Sequence, residues 1–255
     1  MSSKRPIVAA VIPARMAASR FPGKPLVPIL GLPMIEHVRR RVELIDAVDQ
    51  VWVATCDEEI RQLVEKNGGK VIMTADSHER ATDRIEEASH QIEADVIINV
   101  QGDEPMVSAL GLEQVIAPFF SNPEVQSTCL VYPITDHSDL GSLNIVKCVL
   151  SRSNRILYLS RAAIPGKALD PKFTYYKQSG IMAYRREFLH RYKNLAPTPL
   201  ESKESVDILR ILEHDYWVQG VLSEEETKGV DVPEQVAMLE AAILSDPKQK
   251  ALFER

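Results

Sequence analysis

Apolar residues form short continuous runs in the first hundred residues, separated by segments with a helical spacing of apolar positions. The runs are rich in Val and Ile and cover residues 7–12, 51–54, 70–73 and 96–100. Continuous apolarity over so few residues is typical of strands that are buried on both faces of a sheet. The segments with helical spacing cover residues 34–44, 58–66 and 82–88. This alternation predicts an α/β fold with a mostly parallel sheet flanked by helices.

The pattern becomes less regular after Pro105. A helix is predicted at residues 112–119 and a closing helix at 233–244, where Pro233 stands in the first turn. The other predicted elements are strands at 128–132, 145–150, 181–184 and 217–222 and a helix at 202–213. Residues 161–199, rich in Pro, Tyr and basic residues, are expected to project as an arm or small subdomain. No linker rich in Pro, Gly or Ser divides the 255 residues, so we expect a single domain.

A loop with three cations follows the first predicted strand, at residues 12–26. Open α/β sheets bind ligands at the carboxyl ends of their strands. Small residues in this loop let main-chain N–H groups approach an anion, and Arg15, Arg20 and Lys24 could neutralise a triphosphate. An ordinary basic surface loop is the alternative. The segment contains neither G-x-G-x-x-G nor G-x-x-x-x-G-K-[ST], so neither a dinucleotide fold nor a P-loop enzyme is supported.

Three segments together resemble the sugar-nucleotide cytidylyltransferases, above all the CMP-Kdo synthetase family, where Kdo is 3-deoxy-manno-octulosonate. They are the loop at 20–26, the block at 80–85 and the turn at 99–105. The resemblance extends over nearly the whole chain. It implies a Rossmann-like nucleotidyltransferase sandwich that transfers CMP from CTP to a 3-deoxy-ulosonic acid and releases pyrophosphate. It also implies a homodimer, formed partly through residues 160–200, and a role in lipopolysaccharide biosynthesis.

The resemblance assigns residues to the nucleotide and to catalysis. The nucleotide-binding candidates are Pro13, Ala14, Arg15, Arg20, Lys24, Thr82 and Arg84. The catalytic candidates are Arg15, Lys24 and Asp103.

Asp103 is also the candidate metal ligand. Residues 101–105 end a buried strand with a polar turn, so Asp103 is expected at the carboxyl edge of the sheet, close to the phosphate loop. Mg²⁺ takes one or two carboxylates together with phosphate oxygens and water. The resemblance supplies Asp231 as the second ligand, whereas by spacing alone Asp231 is an N-cap before Pro233. Glu104 is not assigned to catalysis, and the six histidines lack the spacing of a zinc site.

The acceptor-binding candidates that the resemblance implies are Gln101, Arg161, Gln178, Tyr184, Glu204 and Asp207. A guanidinium at Arg161 suits bidentate binding of a carboxylate, although a surface arginine is the alternative. Tyr184 could contact the acceptor through its hydroxyl, and considered alone it is typical of a core tyrosine. Lys172 and Lys177 could bind extra negative charge, although exposed lysines are usually only solvated.

Three departures from the family pattern involve four positions. Gln178 replaces a histidine, Ala81 replaces a glycine, and Asp207 with Ile208 replaces a Glu-Gln pair. The changes fall mainly on the acceptor side and remove groups that would hydrogen-bond sugar hydroxyls. The acceptor could therefore be Kdo, an amino-Kdo, or another small acid such as a sialic-type acid or a phosphonate. A different sugar nucleotide made from UTP, GTP or CTP and a sugar phosphate, and a non-catalytic nucleotide-binding domain, stay open as alternatives.

Composition narrows the classes of partner. The net charge is -6, and its acidic and basic residues are interspersed, which argues against a nucleic-acid partner. No apolar run approaches the roughly 20 residues that span a bilayer, and the start does not fit a signal peptide, so we expect a cytoplasmic protein without a membrane partner. The three cysteines form no CxxC pair and are expected to be reduced and structural.

Overall fold

The structure is a computed structural model that describes residues 5–17, 21–78, 80–166, 170, 172–226, 229–230 and 232–245. Its internal contacts divide the chain into two compact units. The first unit comprises residues 7–109 with 227–255, and the second comprises 110–226 with 1–6. The expectation of a single domain stays a prediction, and each unit is described by itself.

The first unit contains a parallel sheet. The strands of this unit are β1 (Val8–Ala14), β2 (Pro28–Ile29), β3 (Leu32–Pro33), β4 (Gln50–Thr55), β5 (Val71–Met73) and β6 (Val96–Asn99). The helices of this unit include α1 (Met34–Glu43), α2 (Glu58–Lys66) and α3 (Ala81–Ser89). The parallel strands lie in the order β6-β1-β4-β5, while β2 and β3 form a short hairpin. The predicted alternation of strand and helix is confirmed in this unit.

Strand β1 is the centre of the first unit. Its residues 8–12 have no exposed surface, and all of β6 is buried beside it. Helices α1 and α3 pack against β1, so apolar side chains are covered on the sheet's faces. The strand continues beyond the predicted residue 12, because Pro13 and Ala14 extend the parallel pairing with Ala54 and Thr55. The cationic loop therefore begins at Arg15.

The second unit has a mixed sheet. Its elements are α4 (Ala109–Ser121), which starts at the unit boundary, β7 (Ser127–Pro133), β8 (Lys147–Leu150), β9 (Ile156–Ser160), β10 (Tyr176–Arg185), α5 (Arg186–Lys193), α6 (Pro199–Glu204), α7 (Ile208–Glu213) and β11 (Gln219–Leu222). Strand β7 pairs with β11 in parallel and with β10 antiparallel. The start of β10 also pairs with β8, which pairs with β9, both antiparallel. The chain returns to the first unit for α8 (Glu234–Ser245).

Two expectations for the second unit were wrong. The single helix predicted at 202–213 is two helices, because Ser205 adopts a left-handed backbone with φ 54° and ends α6. The strand predicted at 181–184 begins earlier, at Tyr176, as β10, and it is followed by α5, a helix within the stretch 161–199 that the sequence did not predict. Strand β9 was not predicted at all. Within the residues that the structure describes, no helix is both long and apolar enough to cross a membrane.

Candidate active site

The carboxyl ends of β1 and β6 meet at one edge of the parallel sheet. Pro13 and Ala14 end β1, and the turn that begins with Gln101 and Gly102 follows β6, its neighbour. A Cβ added to Gly102 would lie 2.8 Å from Pro13 O, closer than real Cβ atoms approach backbone oxygens. The turn therefore lies directly against the end of β1, and glycine is required for that approach. The phosphate loop, which is the cationic loop at residues 12–26, and the turn at 101–105 are thus adjacent, as the sequence predicted.

Lys24 reaches this edge from the phosphate loop. It opens a short 3-10 helix, Lys24–Leu26, after Gly23, whose φ of 72° is left-handed. The Lys24 ammonium lies 2.5 Å from Asp103 Oδ2 and donates to Val230 O at 3.0 Å. Both side chains keep partial access to solvent, with 15% of Lys24 and 32% of Asp103 exposed. The structure therefore brings two predicted catalytic residues into direct contact.

Val230, the residue before Asp231, is hydrogen-bonded at the same turn. Val230 N donates to Asp103 O at 2.9 Å, while Val230 O accepts from Lys24 Nζ. Both polar main-chain groups of Val230 are thus held at the Asp103 turn. Asp231 follows Val230 in the chain but lies outside the described residues, as does Arg20. Their predicted roles at the metal and the triphosphate stay predictions.

Arg15 extends from the end of β1 towards the loop after β5. Its Nη1 donates to His78 O at 3.4 Å, a long and exposed hydrogen bond that leaves the guanidinium accessible to an anion. The next residue, Met16, donates its N–H to Asp57 Oδ2 at 2.8 Å. That carboxylate stands just before α2 and anchors the start of the cationic loop.

Sequence reasoning missed how the loop after β5 is held. The carboxylate of Glu87 in α3 accepts from Ala75 N at 3.1 Å and contacts His78 Nε2. Burial alone would raise the pKa of Glu87, but the hydrogen bonds from His78 and Ala75 outweigh it and hold that pKa below its ordinary value. A histidine and a glutamate nine residues apart match no motif, so no sequence signal marked the pair.

Arg84 has an unsatisfied guanidinium nitrogen. It is 3% exposed, as is Thr82 in the first turn of the same helix, and its Nη1 donates to Thr74 Oγ1. Its Nη2 is buried without a hydrogen-bond partner among the described residues, and so is Asn99 Oδ1 at the end of β6. Buried polar groups are normally hydrogen-bonded, so such groups mark a place where a ligand could complete the bonding. The nucleotide roles of Arg84 and Thr82 stay predictions, and Asn99 is a candidate that sequence reasoning missed.

In the second unit, Arg161 and Glu204 form a tight group. Arg161 Nε donates to Glu204 O at 2.8 Å, and its Nη1 donates to Leu143 O at 2.9 Å. The Glu204 carboxylate accepts from Arg161 N and from the Ser160 hydroxyl, each at 2.8 Å. The N–H of Arg161, followed by Ser160 and opposed by burial, holds the pKa of Glu204 below its ordinary value. Two predicted acceptor residues are therefore brought together.

The remaining acceptor candidates of this unit are dispersed. Gln178 lies in β10 with its amide Oε1 buried and unpartnered in the described part of the chain. Tyr184 lies six residues farther along the same strand, 1% exposed, and its hydroxyl donates to Met182 Sδ at 3.2 Å. Six residues of strand span roughly 20 Å, so Tyr184 and Gln178 are far apart along β10. Asp207 is the N-cap residue of α7. Acceptor contacts for these three residues stay predictions.

Lys177 carries a compensated charge. Its ammonium lies 3.0 Å from Asp139 Oδ2 and 2.7 Å from Glu226 Oε1. Burial would lower the pKa of Lys177, but the bonds to Glu226 and Asp139 outweigh it and raise that pKa above its ordinary value. With two carboxylates bound, Lys177 is a poor candidate for binding additional negative charge.

Comparison with known proteins agrees with this arrangement. The family model described as cytidylyltransferase matches residues 9–228. A 3-deoxy-manno-octulosonate cytidylyltransferase of Geobacter metallireducens is 38% identical over 89% of this chain and 93% of its own length. An 8-amino-3,8-dideoxy-manno-octulosonate cytidylyltransferase of Shewanella amazonensis is 39% identical over 94% of this chain and 99% of its own.

Solved structures show the same relationship. A CMP:2-keto-3-deoxy-manno-octonic acid synthetase complexed with CTP superimposes with a TM-score of 0.89 at 37% identity, covering 93% of this chain and 98% of that one. A 4-diphosphocytidyl-2C-methyl-D-erythritol synthase from Anaerococcus prevotii, at 14% identity and a TM-score of 0.65 over 94% of this chain and 99% of that one, shares the fold alone. The expected α/β nucleotidyltransferase fold is confirmed, and the chain belongs to the cytidylyltransferase family.

Proposed function

We propose that this chain transfers CMP from CTP to a 3-deoxy-ulosonic acid of the Kdo type and releases pyrophosphate, with Mg²⁺ as its cofactor. The observation that carries the proposal is the contact of Lys24 with Asp103 and Val230 at the carboxyl ends of β1 and β6. Ligands of open α/β sheets bind at this edge. CTP is the nucleotide because the chain is a cytidylyltransferase and a relative of known structure, 37% identical, was solved with CTP.

The chemistry requires positioning more than covalent participation of the protein. An acceptor hydroxyl oxygen forms a bond to the α-phosphorus of CTP, the bond from that phosphorus to the bridging oxygen breaks, and pyrophosphate leaves with the electron pair. The hydroxyl proton goes to solvent. Arg15 and Lys24, with Arg20, would neutralise the triphosphate and the charge that develops on pyrophosphate.

The residues at the sheet edge fit Mg²⁺. The Asp103 carboxylate is 32% exposed beside a positively charged loop that suits phosphates, and carboxylate and phosphate oxygens are the ligands that Mg²⁺ prefers. Asp103 and Asp231 would hold the ion. When bound, Mg²⁺ would lower the pKa of the acceptor hydroxyl and offset phosphate charge.

We expect the carboxylate of the acceptor acid to bind to Arg161. Arg161 is fixed by main-chain oxygens at Nε and Nη1, so its planar fork is oriented before any ligand binds. Relatives named for Kdo and for 8-amino-3,8-dideoxy-manno-octulosonate are equally similar to this chain, so both acids are candidates. Gln178, in place of the family's histidine, is the position most suited to distinguish them, because its amide Oε1 is buried without a partner among the described residues.

The cellular location, the pathway and the oligomeric state belong to the same proposal. We expect this transfer to take place in the cytoplasm, and a CMP-linked Kdo-type acid would serve lipopolysaccharide biosynthesis. We also propose a homodimer, on the family resemblance of residues 160–200. Sedimentation of the purified chain tests the dimer directly.

The test is release of pyrophosphate from CTP with a panel of acids, in Mg²⁺ and in excess chelator. The panel is Kdo, its 8-amino form, a sialic acid and a small phosphonate. Turnover with a Kdo-type acid that stops on chelation supports the proposal. Use of UTP or GTP with a sugar phosphate would instead assign another nucleotidyl transfer, and tight CTP binding without turnover of any acid would indicate a non-catalytic binding domain.

A further inference from the structure

Lys147 in β8 is a charged side chain with no exposed surface. Lysines are rarely buried completely unless a partner compensates the lost hydration. Its Nζ donates to three main-chain oxygens, those of Ser142 at 2.7 Å, Ile145 at 2.9 Å and Arg161 at 2.5 Å. All three protons of the ammonium are therefore used on neutral carbonyl groups.

These carbonyl groups belong to two segments that also hold the predicted acceptor arginine. Ser142 and Ile145 bracket Leu143, whose oxygen accepts from Arg161 Nη1 at 2.9 Å. The third carbonyl is that of Arg161 itself. Lys147 thus binds the main chain of Arg161 and the loop that its guanidinium contacts. Removing the ammonium would release both ends of this arrangement.

The arrangement leaves donors of Arg161 for a ligand. Its Nε and one Nη1 proton are occupied by Glu204 O and Leu143 O, and Nη2 has no hydrogen bond to the described residues. The Glu204 carboxylate contacts the main-chain N–H of Arg161 and the Ser160 hydroxyl rather than either cation's head group. Two positive charges therefore stand close together, bonded to neutral oxygens, which favours binding of an anion.

Burial and the neighbouring charge agree with this description. Desolvation, and then the charge of Arg161, lower the pKa of Lys147, whereas Glu204 and Asp139 oppose the shift. The charge of Arg161 is thus near enough to affect the protonation of Lys147. An apolar residue of similar volume would avoid the cost of burying a charge, but it would leave three converging carbonyl oxygens without donors.

The geometry points to Lys147 as a positioning residue for the acceptor acid, one that fixes Arg161 and the 142–145 loop so that the guanidinium meets the acid's carboxylate. This inference rests on the proposed function, because it takes Arg161 as the group that binds the acceptor. Lys147 itself is buried and touches no substrate.

Lys177 provides a matched control. It lies directly opposite Lys147 in the antiparallel pairing of β8 and β10, and it is also buried. Its ammonium, however, is bound by the carboxylates of Asp139 and Glu226. Replacing either lysine by methionine removes a buried charge from the same pair of strands, but only Lys147 is bonded to Arg161.

The experiment measures KM for the acceptor acid and for CTP, by pyrophosphate release, in the wild type, Lys147→Met and Lys177→Met. We expect Lys147→Met to raise the acceptor KM about tenfold or more, and Lys177→Met to change the ratio of the two KM values by less than about twofold. The CTP KM of Lys147→Met should stay within about twofold of wild type, because the nucleotide residues lie in the first unit. An active, folded Lys147→Met with an unchanged acceptor KM overturns the inference.

A double mutant separates positioning from a general loss of structure. In an Arg161→Ala background, Lys147→Met should change the acceptor KM by less than about twofold, since there is no guanidinium left to position. Independent, multiplicative effects of the two substitutions would overturn the inference. If Lys147→Met does not fold, Lys147→Gln, which keeps an N–H donor, decides by the same KM ratio. A wild type that turns over none of the acids refutes the proposed function instead.

Discussion

The ammonium of Lys24 lies 2.5 Å from Asp103 Oδ2, so the phosphate loop and the turn after β6 are joined by a direct ion pair. Both partners are also expected to bind the same ligand, because Lys24 would contact the triphosphate and Asp103 the metal ion that accompanies it. A cation that binds Asp103 therefore shares this carboxylate with Lys24. Two predictions follow from that competition, one for each partner.

The first concerns Asp103→Asn, which preserves the shape of the side chain and removes its charge. Turnover should fall about 1000-fold, because a metal ion held by a carboxylate contributes several kcal/mol to stabilising the transition state. Pyrophosphate release at saturating Mg²⁺ measures the turnover of the variant and of the wild type, and circular dichroism checks that the variant is folded. Glu113→Gln, on an exposed position of α4, is the control and should keep wild-type turnover. Activity of Asp103→Asn close to wild type would remove this residue from the metal site.

The second concerns Lys24→Met in the absence of nucleotide. Removing a positive charge in contact with the Asp103 carboxylate should strengthen Mn²⁺ binding to the free protein about tenfold, while CTP binding weakens. Electron paramagnetic resonance of free Mn²⁺ measures the first effect, and calorimetry with CTP measures the second. Lys66→Met, exposed at the end of α2, should change neither. Weaker Mn²⁺ binding by Lys24→Met would mean that Lys24 supports the metal site rather than competing for it.

The sequence predicted the first unit better than the second, for a physical reason. Its parallel strands are buried on both faces, so runs such as 51–54 and 96–100 are continuously apolar and easy to identify. Strand β9 was missed although residues 156–159 form a short apolar run, and Leu157 in that run is 60% exposed, so apolarity alone did not distinguish this strand from a loop. The break between α6 and α7 depends on the left-handed backbone of Ser205, which the spacing of apolar residues does not reveal.

The candidate site residues were also predictable from the sequence only in part. Lys24 and Asp103 were predictable, because chemistry-bearing residues at the ends of neighbouring parallel strands meet at one edge of a sheet. Lys147 lies inside the strand predicted at 145–150, yet its role could not be foreseen, because its partners are main-chain oxygens that carry no sequence signal. The same holds for His78, whose contact with Glu87 forms only once α3 is packed.

Gly102→Ala tests the contact between the two strand ends. An alanine Cβ would lie 2.8 Å from Pro13 O, so the turn carrying Asp103 must move away from β1. We expect a loss of about 1–3 kcal/mol in the free energy of unfolding and a clear drop in turnover. Gly141→Ala is the matched control, since its Cβ would meet nothing within 4 Å, and its stability should change by less than about 0.5 kcal/mol. Urea denaturation measures both. Equal stabilities for the two variants would show that the turn tolerates the added carbon.

The Glu204 carboxylate should make the second unit sensitive to acid. Its pKa lies below the ordinary 4.5, chiefly because the Arg161 N–H donates to the ionised form. A depressed folded-state pKa means that the stabilisation is complete above pH 4.5 and is lost as the pH falls through the lower, folded-state value. The difference in unfolding free energy between wild type and Glu204→Gln should therefore be largest at neutral pH and shrink on acidification. Urea titrations across that range measure it, and a difference independent of pH would contradict the assignment.

Arg210→Ala should be among the most destabilising single changes in α6 and α7. Its guanidinium donates to both carboxylate oxygens of Glu201, at 2.6 and 2.7 Å, and the two side chains are only 8% and 2% exposed. Removing one partner leaves a buried charge uncompensated, which costs about 3–5 kcal/mol. Arg61→Ala, which breaks exposed pairs on α2, should cost less than about 1 kcal/mol. Adding Glu201→Gln to Arg210→Ala should restore part of the stability, because the stranded charge is then removed. If the double mutant has a lower free energy of unfolding than Arg210→Ala alone, Glu201 stabilises α6 mainly through its bond to Thr198 N rather than through Arg210.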